Sequence, residues 1–92
     1  MTKAFDGIRV IDTTHVLAGP FASYQMAVLG AEVIKVEAPH DPDQARWQGS
    51  DRALSDIGMG TAFMAQASNK KTLAVDLKTE MGRDALKRLI AT

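Results

Sequence analysis

Two short β-branched runs, separated by a helix-length segment with a proline at its start and a glycine at its end, constrain this chain more than any other feature. Ile8-Arg9-Val10-Ile11-Asp12 follows Gly7 and has the make-up of a short buried strand of a parallel sheet. Residues 13–19 form a turn, and Pro20 stands at the first helical position, where its fixed φ suits the helix and its missing N–H is no loss. Over 20–29 the spacing predicts a helix whose residues Phe21, Ala22, Met26, Val28 and Leu29 share one broad apolar face, with Met26, Val28 and Leu29 as core. Gly30 is the expected left-handed helix stop. Ala31-Glu32-Val33-Ile34-Lys35-Val36-Glu37 is then a second strand, with Val33 to Lys35 at its buried centre. Joints this short make a βαβ unit, with parallel strands and a crossover that is right-handed in nearly all known cases.

Residues 38–57 carry Pro39, Pro42 and closely spaced charges without periodicity, which predicts a long surface loop. Over 59–67 a short helix places Met59, Ala62, Phe63 and Ala67 on one side. Leu73-Ala74-Val75-Asp76-Leu77 alternates as a third strand does. Thr79 is the expected N-cap of a last helix, with Glu80 in the first turn where a negative charge suits the helix dipole. Gly82, Ala85, Leu86, Leu89 and Ile90 follow at i, i+3, i+4, i+7 and i+8, an amphipathic stripe that needs a sheet to cover. The expected architecture is α/β, a partial Rossmann-like parallel sheet (βαβ then βα). Since an alternating pattern would place a fourth strand after Thr92, residues 1–92 read as the N-terminal part of a larger domain.

The 92 residues make one domain at most, and chains of this size bury only roughly 60 to 65% of the surface their unfolded state exposes. With 46% hydrophobic and 24% charged residues, a packed core is intended rather than disorder. Eleven basic residues balance eleven acidic ones, so neither nucleic acid nor an anionic membrane is an expected partner. Without cysteine there are no disulfides and no thiolate metal site. The first residues lack the apolar run of a signal peptide and no stretch approaches the roughly 18 apolar residues of a membrane span, so a cytoplasmic protein is expected.

In open parallel sheets ligands sit beyond the carboxyl ends of the strands. That places any site in the turns after the three strands, beside helix N-termini whose free N–H groups favour phosphate oxygens. Only Gly19 of a three-glycine dinucleotide fingerprint is present, and there is no phosphate-binding G-x-x-x-x-G-K-[ST] run, no nucleophile elbow and no His and carboxylate pair at metal-ligand spacing. No catalytic and no metal-ligating residue is assigned. Asp12 reads as a structural acceptor for nearby backbone amides, His40 as a solvated imidazole, and Lys70 and Lys71 as an exposed charged turn. His15 reads equally as a helix-start residue and as a ligand, and Trp47 either covers a site or packs its loop.

The runs Gly7-Ile8-Arg9-Val10-Ile11-Asp12, Thr14-His15-Val16-Leu17-Ala18-Gly19-Pro20-Phe21-Ala22 and Leu29-Gly30-Ala31-Glu32-Val33-Ile34-Lys35-Val36-Glu37, followed by Asn69-Lys70-Lys71-Thr72-Leu73-Ala74-Val75-Asp76-Leu77-Lys78, resemble the start of the family III CoA transferases of the CaiB/BaiF type. Formyl-CoA transferase and α-methylacyl-CoA racemase belong to that family, whose members are several times longer.

The resemblance implies a large Rossmann-like CoA-binding domain and a smaller one, in an interlocked homodimer. CoA thioesters and small carboxylic acids would be the substrates and partners, and CoA or acyl-CoA would come as substrate, with no permanently bound cofactor. In the transferases an aspartate becomes acylated, covalent catalysis that splits one hard step into two. In the racemase branch a His and a carboxylate move a proton at the α-carbon. Both sets of residues would lie beyond this chain, so the 92 residues are expected to be inactive by themselves.

Carried over position by position, the CoA contacts fall on His15, Val16, Leu17 and Ala18 and on Val75, Asp76, Leu77 and Lys78. One departure is Ala38, where several relatives have an arginine; either Arg46 supplies the phosphate partner instead or the nucleotide is held less tightly. The expected function is thus the N-terminal CoA-binding segment of a CoA transferase. The racemase branch and a non-catalytic nucleotide-binding or interaction module are the alternatives.

Overall fold

The computed structural model describes residues 2–92. Strand β1 (Arg9–Asp12) leads into helix α1 (Ala18–Val28) and strand β2 (Glu32–Glu37). A 3-10 turn (Gln44–Trp47), a short helix α2 (Arg52–Asp56) and helix α3 (Thr61–Ala67) follow. Strand β3 (Lys70–Ala74) and helix α4 (Glu80–Ile90) complete the chain. All three strands are parallel in the order β1-β2-β3, with Ile11 opposite Ile34 and Val36 opposite Leu73.

The central strand is the apolar spine, as its β-branched composition demands: Val33, Ile34 and Val36 are buried, and Ala27 and Ala31 pack with Val33 against Phe5 and Val10. Gly30 ends α1 at φ +111°, a conformation open to glycine and nearly closed to other residues, while its amide and that of Ala31 donate to the last carbonyls of the helix. Thr79 caps α4 by accepting from the Gly82 amide at 3.0 Å.

Four expectations change. Helix α1 starts at Ala18, so Pro20 is its third residue and not its first. The third strand is Lys70–Ala74, not 73–77, so residues 75–77 are freed to form the turn beyond it. Helix α1 buries Pro20, Ser23 and Ala27, whereas Phe21, Met26, Val28 and Leu29 are exposed. Small residues let the helix approach the sheet closely, and Ser23 is drawn in by a buried carboxylate rather than by hydrophobicity. The loop over 38–57 contains two structured pieces, each started by an aspartate whose carboxylate accepts from a backbone amide: Asp43 from Ala45, and Asp51 from Leu54.

Among the described residues no helix is long and apolar enough to cross a membrane.

Candidate functional site

Because the strands are parallel, their carboxyl ends lie on one side, and the turns that leave them meet there. A cleft of about 230 Å³ opens between these turns. Thr13 and His15 come from the turn after β1, Glu37, Ala38 and Asp41 from the end of β2, and Val75, Asp76, Leu77 and Lys78 from the turn after β3. His15 and Lys78 therefore face one space. Val16, Leu17 and Ala18 continue from the His15 wall into α1 and do not line the cleft itself. A larger groove of about 540 Å³ lies at the opposite ends of the strands, where Arg9 and Glu32 are already paired with one another. It lacks the converging turns and helix starts that make the carboxyl ends a ligand site.

The turn after β1 is held from beneath by a set of buried charges. Asp12 accepts from the Thr14 amide at 2.9 Å, the Thr14 hydroxyl, the Ser23 hydroxyl at 2.6 Å and the Lys70 ammonium at 3.2 Å. The expected structural role of Asp12 is thus observed. Lys70 is not an exposed turn residue: its side chain is 1% exposed and also donates to the Pro20 carbonyl. It cannot reach a ligand in the cleft, and it occupies the first position of β3 because Asp12 receives its charge.

Lys35, buried in β2, donates to the Thr14 carbonyl at 3.0 Å and pairs with Asp43 at 2.8 Å. Asp43 in turn accepts from the amides of Val16 and Ala45, and its own amide donates to Glu37. The loop so held includes Val16 at φ +73°. A β-branched residue rarely adopts that conformation, and it costs on the order of 1–3 kcal/mol.

Glu37 is also gripped by Arg46, with Nη2 and Nε at 2.6 and 2.9 Å from its two oxygens. The guanidinium lies 3.9 Å over the ring of Phe63 and reaches the Gly58 carbonyl. Arg46 is therefore committed within the fold and does not replace the arginine absent at Ala38. On the turn after β3, the Asp76 carboxylate accepts from the Lys78 amide and its carbonyl accepts from Thr79, so Asp76 shapes the turn. Lys78 is exposed and enters none of the ion pairs among the described residues. Trp47 is half-exposed in an adjoining groove beside Gly58, and His40 is exposed.

Lys35, Asp43 and Glu37 were not singled out from the sequence. A signal existed: a lysine at the buried centre of a strand must have an acidic partner, and Asp41 and Asp43 are the acids that a returning loop brings nearest.

Burial by itself would raise the Asp12 carboxyl, but the donors from Ser23, Thr14 and Lys70 outweigh it and hold the group at about 2. Glu37 and Asp43 are also lowered, against their burial, by Arg46 and the Asp43 amide in the first case and by Lys35 and two amides in the second. Lys70 is lowered as well, because loss of water outweighs its single carboxylate partner. Asp12 is held low by several donors, whereas Lys70 has one carboxylate against the same loss of water.

A carboxyl lower in the folded than in the unfolded state adds stability above the unfolded value and loses it as pH falls through the folded one. An ordinary aspartate titrates at 3.8 and Asp12 in the fold at about 2. Asp12 should therefore withdraw about 2 kcal/mol of stability on acidification from about pH 5 to about pH 2. Urea unfolding across that range checks the loss, and an NMR titration of the Asp12 carboxyl should find its midpoint near the lower value. A midpoint at the ordinary carboxylate value would remove Asp12 as the source.

The likenesses to known proteins are consistent along the chain. It is 44% identical over 90 residues to the formyl-CoA:oxalate CoA-transferase of Streptomyces avermitilis, covering 98% of this chain and 21% of that protein. It is 42% identical over 89 residues to the succinyl-CoA:glutarate CoA-transferase of Mus musculus, covering 97% and 20%. The chain spans about a fifth of the length of these curated relatives. Among solved structures, a CAIB/BAIF family protein from Brucella suis superposes with a TM-score of 0.80 at 31% identity, over 99% of this chain and 24% of that one. The hypothetical protein Rv3272 from Mycobacterium tuberculosis gives 0.78 at 41% identity, over 95% and 22%. The sequence pattern of CoA-transferase family III matches residues 5–92, and this chain belongs to that family.

Proposed function

We propose that this chain is the CoA-binding N-terminal segment of a CoA transferase that moves CoA between small carboxylic acids. One observation carries the reading: the turns leaving three parallel strands line one cleft, with His15 on one wall and Lys78, which enters no ion pair among the described residues, on another. The backbone of the turn after β1 and the start of α1 would receive the nucleotide end of CoA, and Lys78 would meet a phosphate as a point charge. The names of the relatives support a transferase, since both describe CoA passing between two acyl groups.

In the transfer itself, an aspartate outside residues 1–92 would attack the thioester carbonyl. The acyl–oxygen bond forms as the carbon–sulfur bond breaks, and CoA leaves as the thiolate. The second acid would then attack the aspartyl carbonyl and expel the first as its carboxylate. The thiolate would attack the acyl carbonyl of the new acyl-aspartate, releasing the aspartate as the new thioester forms. The whole enzyme would be a homodimer, a reading supported by the family resemblance, and cytoplasmic, as the first residues without a signal-peptide run suggest.

Calorimetric titration of CoA into the 92-residue chain, with its size measured alongside, tests the proposal. Saturable binding with one CoA per chain is expected. Lys78→Ala should weaken it about tenfold and flatten its salt dependence. An absence of binding to a folded chain, or a Lys78→Ala variant that binds equally well at low salt, would tell against the cleft as the CoA site.

A further inference from the structure

We propose that Asp43 is a positioning residue for CoA: through its bond to the Val16 amide it holds the turn after β1 in the shape that receives the ligand. The inference rests on the CoA reading given above.

The turn does not hold this shape by its own preference, since Val16 sits at φ +73°, where its branched side chain crowds the backbone. Something outside the turn must over-determine the conformation. Asp43 is the group in place to do so: its Oδ1 accepts from Val16 at 3.0 Å across 27 positions of sequence. The carboxylate is itself fixed on every side. Oδ2 takes the Lys35 ammonium at 2.8 Å, Oδ1 also takes the Ala45 amide, and the Asp43 amide is tied to Glu37 at 2.8 Å. Lys35 adds a second grip on the same turn, at the Thr14 carbonyl.

Asp43 and Lys35 are almost fully buried, with side chains 2% and 1% exposed, so neither touches a ligand in the cleft. Their effect on CoA passes through the backbone on either side of His15. Asp43 leaves β2 by way of the loop over 38–42, and Glu37 and Ala38 form another wall of the cleft. One carboxylate therefore sets the relation between two walls.

Removing Asp43 singly would leave a buried ammonium without a partner and confuse positioning with folding. The test therefore compares two double variants of the chain, Lys35→Met with Asp43→Asn and Lys35→Met with Asp43→Ala. Neither contains the buried pair, and they differ in whether an acceptor faces the Val16 and Ala45 amides. CoA affinity is measured by calorimetry, and hydrogen exchange is followed at the amides of Val16 and of Val36 in the central strand.

The alanine variant is expected to bind CoA about tenfold more weakly than the asparagine variant and to exchange the Val16 amide about tenfold faster, with Val36 equally protected in both. Equal CoA affinity in the two variants overturns the positioning role while leaving the CoA site standing. Loss of Val36 protection in the alanine variant alone makes Asp43 a folding residue and also overturns it. If the unaltered chain binds no CoA, the CoA reading fails first and the proposal falls with it.

Discussion

Lys70→Met is expected to destabilise the chain by about 3–5 kcal/mol, while Lys71→Met at the next position should change stability by about 1 kcal/mol or less. The Lys70 ammonium is 3.2 Å from Asp12, and both side chains are 1% exposed. Methionine keeps most of the aliphatic stem but takes the one cationic partner from a buried carboxylate. The Lys71 pair with Glu32 is 70% and 36% exposed, so water screens what the mutation removes. A domain of this size has roughly 5–14 kcal/mol of stability in all, so the first change takes a large share of it. Urea unfolding followed by circular dichroism measures both variants. Equal midpoints would mean that the buried pair contributes nothing that the surface pair does not.

The contrast between these neighbouring lysines marks where the sequence stops being informative. Alternation and turn chemistry are local, and they found β1, α1, β2, the Gly30 stop and the Thr79 cap because each depends on residues a few positions apart. Hydropathy placed the third strand at Leu73 because Lys70 and Lys71 look polar. What draws Lys70 into the sheet is Asp12, 58 positions earlier, and no periodic pattern encodes that distance. The same holds for α1. Its large apolar residues suggested the buried face, yet the contact with the sheet is made by Pro20, Ser23 and Ala27, where Ser23 answers to Asp12.

The candidate cleft was legible in outline and not in mechanism of support. Its location follows from parallel strands, and the resemblance named His15 and Lys78, which do face one space. What shapes the walls is a set of charges inside the fold, from Arg46 through Glu37 and Asp43 to Lys35. A charge-rich loop over 38–57 looks solvated by composition. In the structure Asp43 is turned inward, and Arg46 is held by a carboxylate and an aromatic ring instead of awaiting a phosphate.

Gly82→Ala is expected to destabilise the chain by about 3 kcal/mol and to weaken CoA binding with it. Helix propensity predicts the opposite sign, since alanine in place of glycine inside a helix gains roughly 1 kcal/mol. Gly82 lies in the first turn of α4, and a Cβ there would overlap the Asp76 carbonyl oxygen and lie 2.7 Å from its carbon. No flexible side chain can give way, because the obstacle is backbone. The same carbonyl accepts from the Thr79 amide at 3.1 Å and its hydroxyl at 2.7 Å, so α4 could retreat only by breaking the bonds that join it to the turn. That turn carries Asp76, Leu77 and Lys78 into the cleft, and the Asp76 carboxylate holds the Lys78 amide. Stability and ligand affinity should therefore fall together in this variant. Lys87→Ala, on the exposed side of the same helix, should leave stability within about 0.5 kcal/mol and CoA affinity unaltered. A higher melting temperature for Gly82→Ala would show that propensity wins and that α4 does not press on the turn as closely as the structure has it.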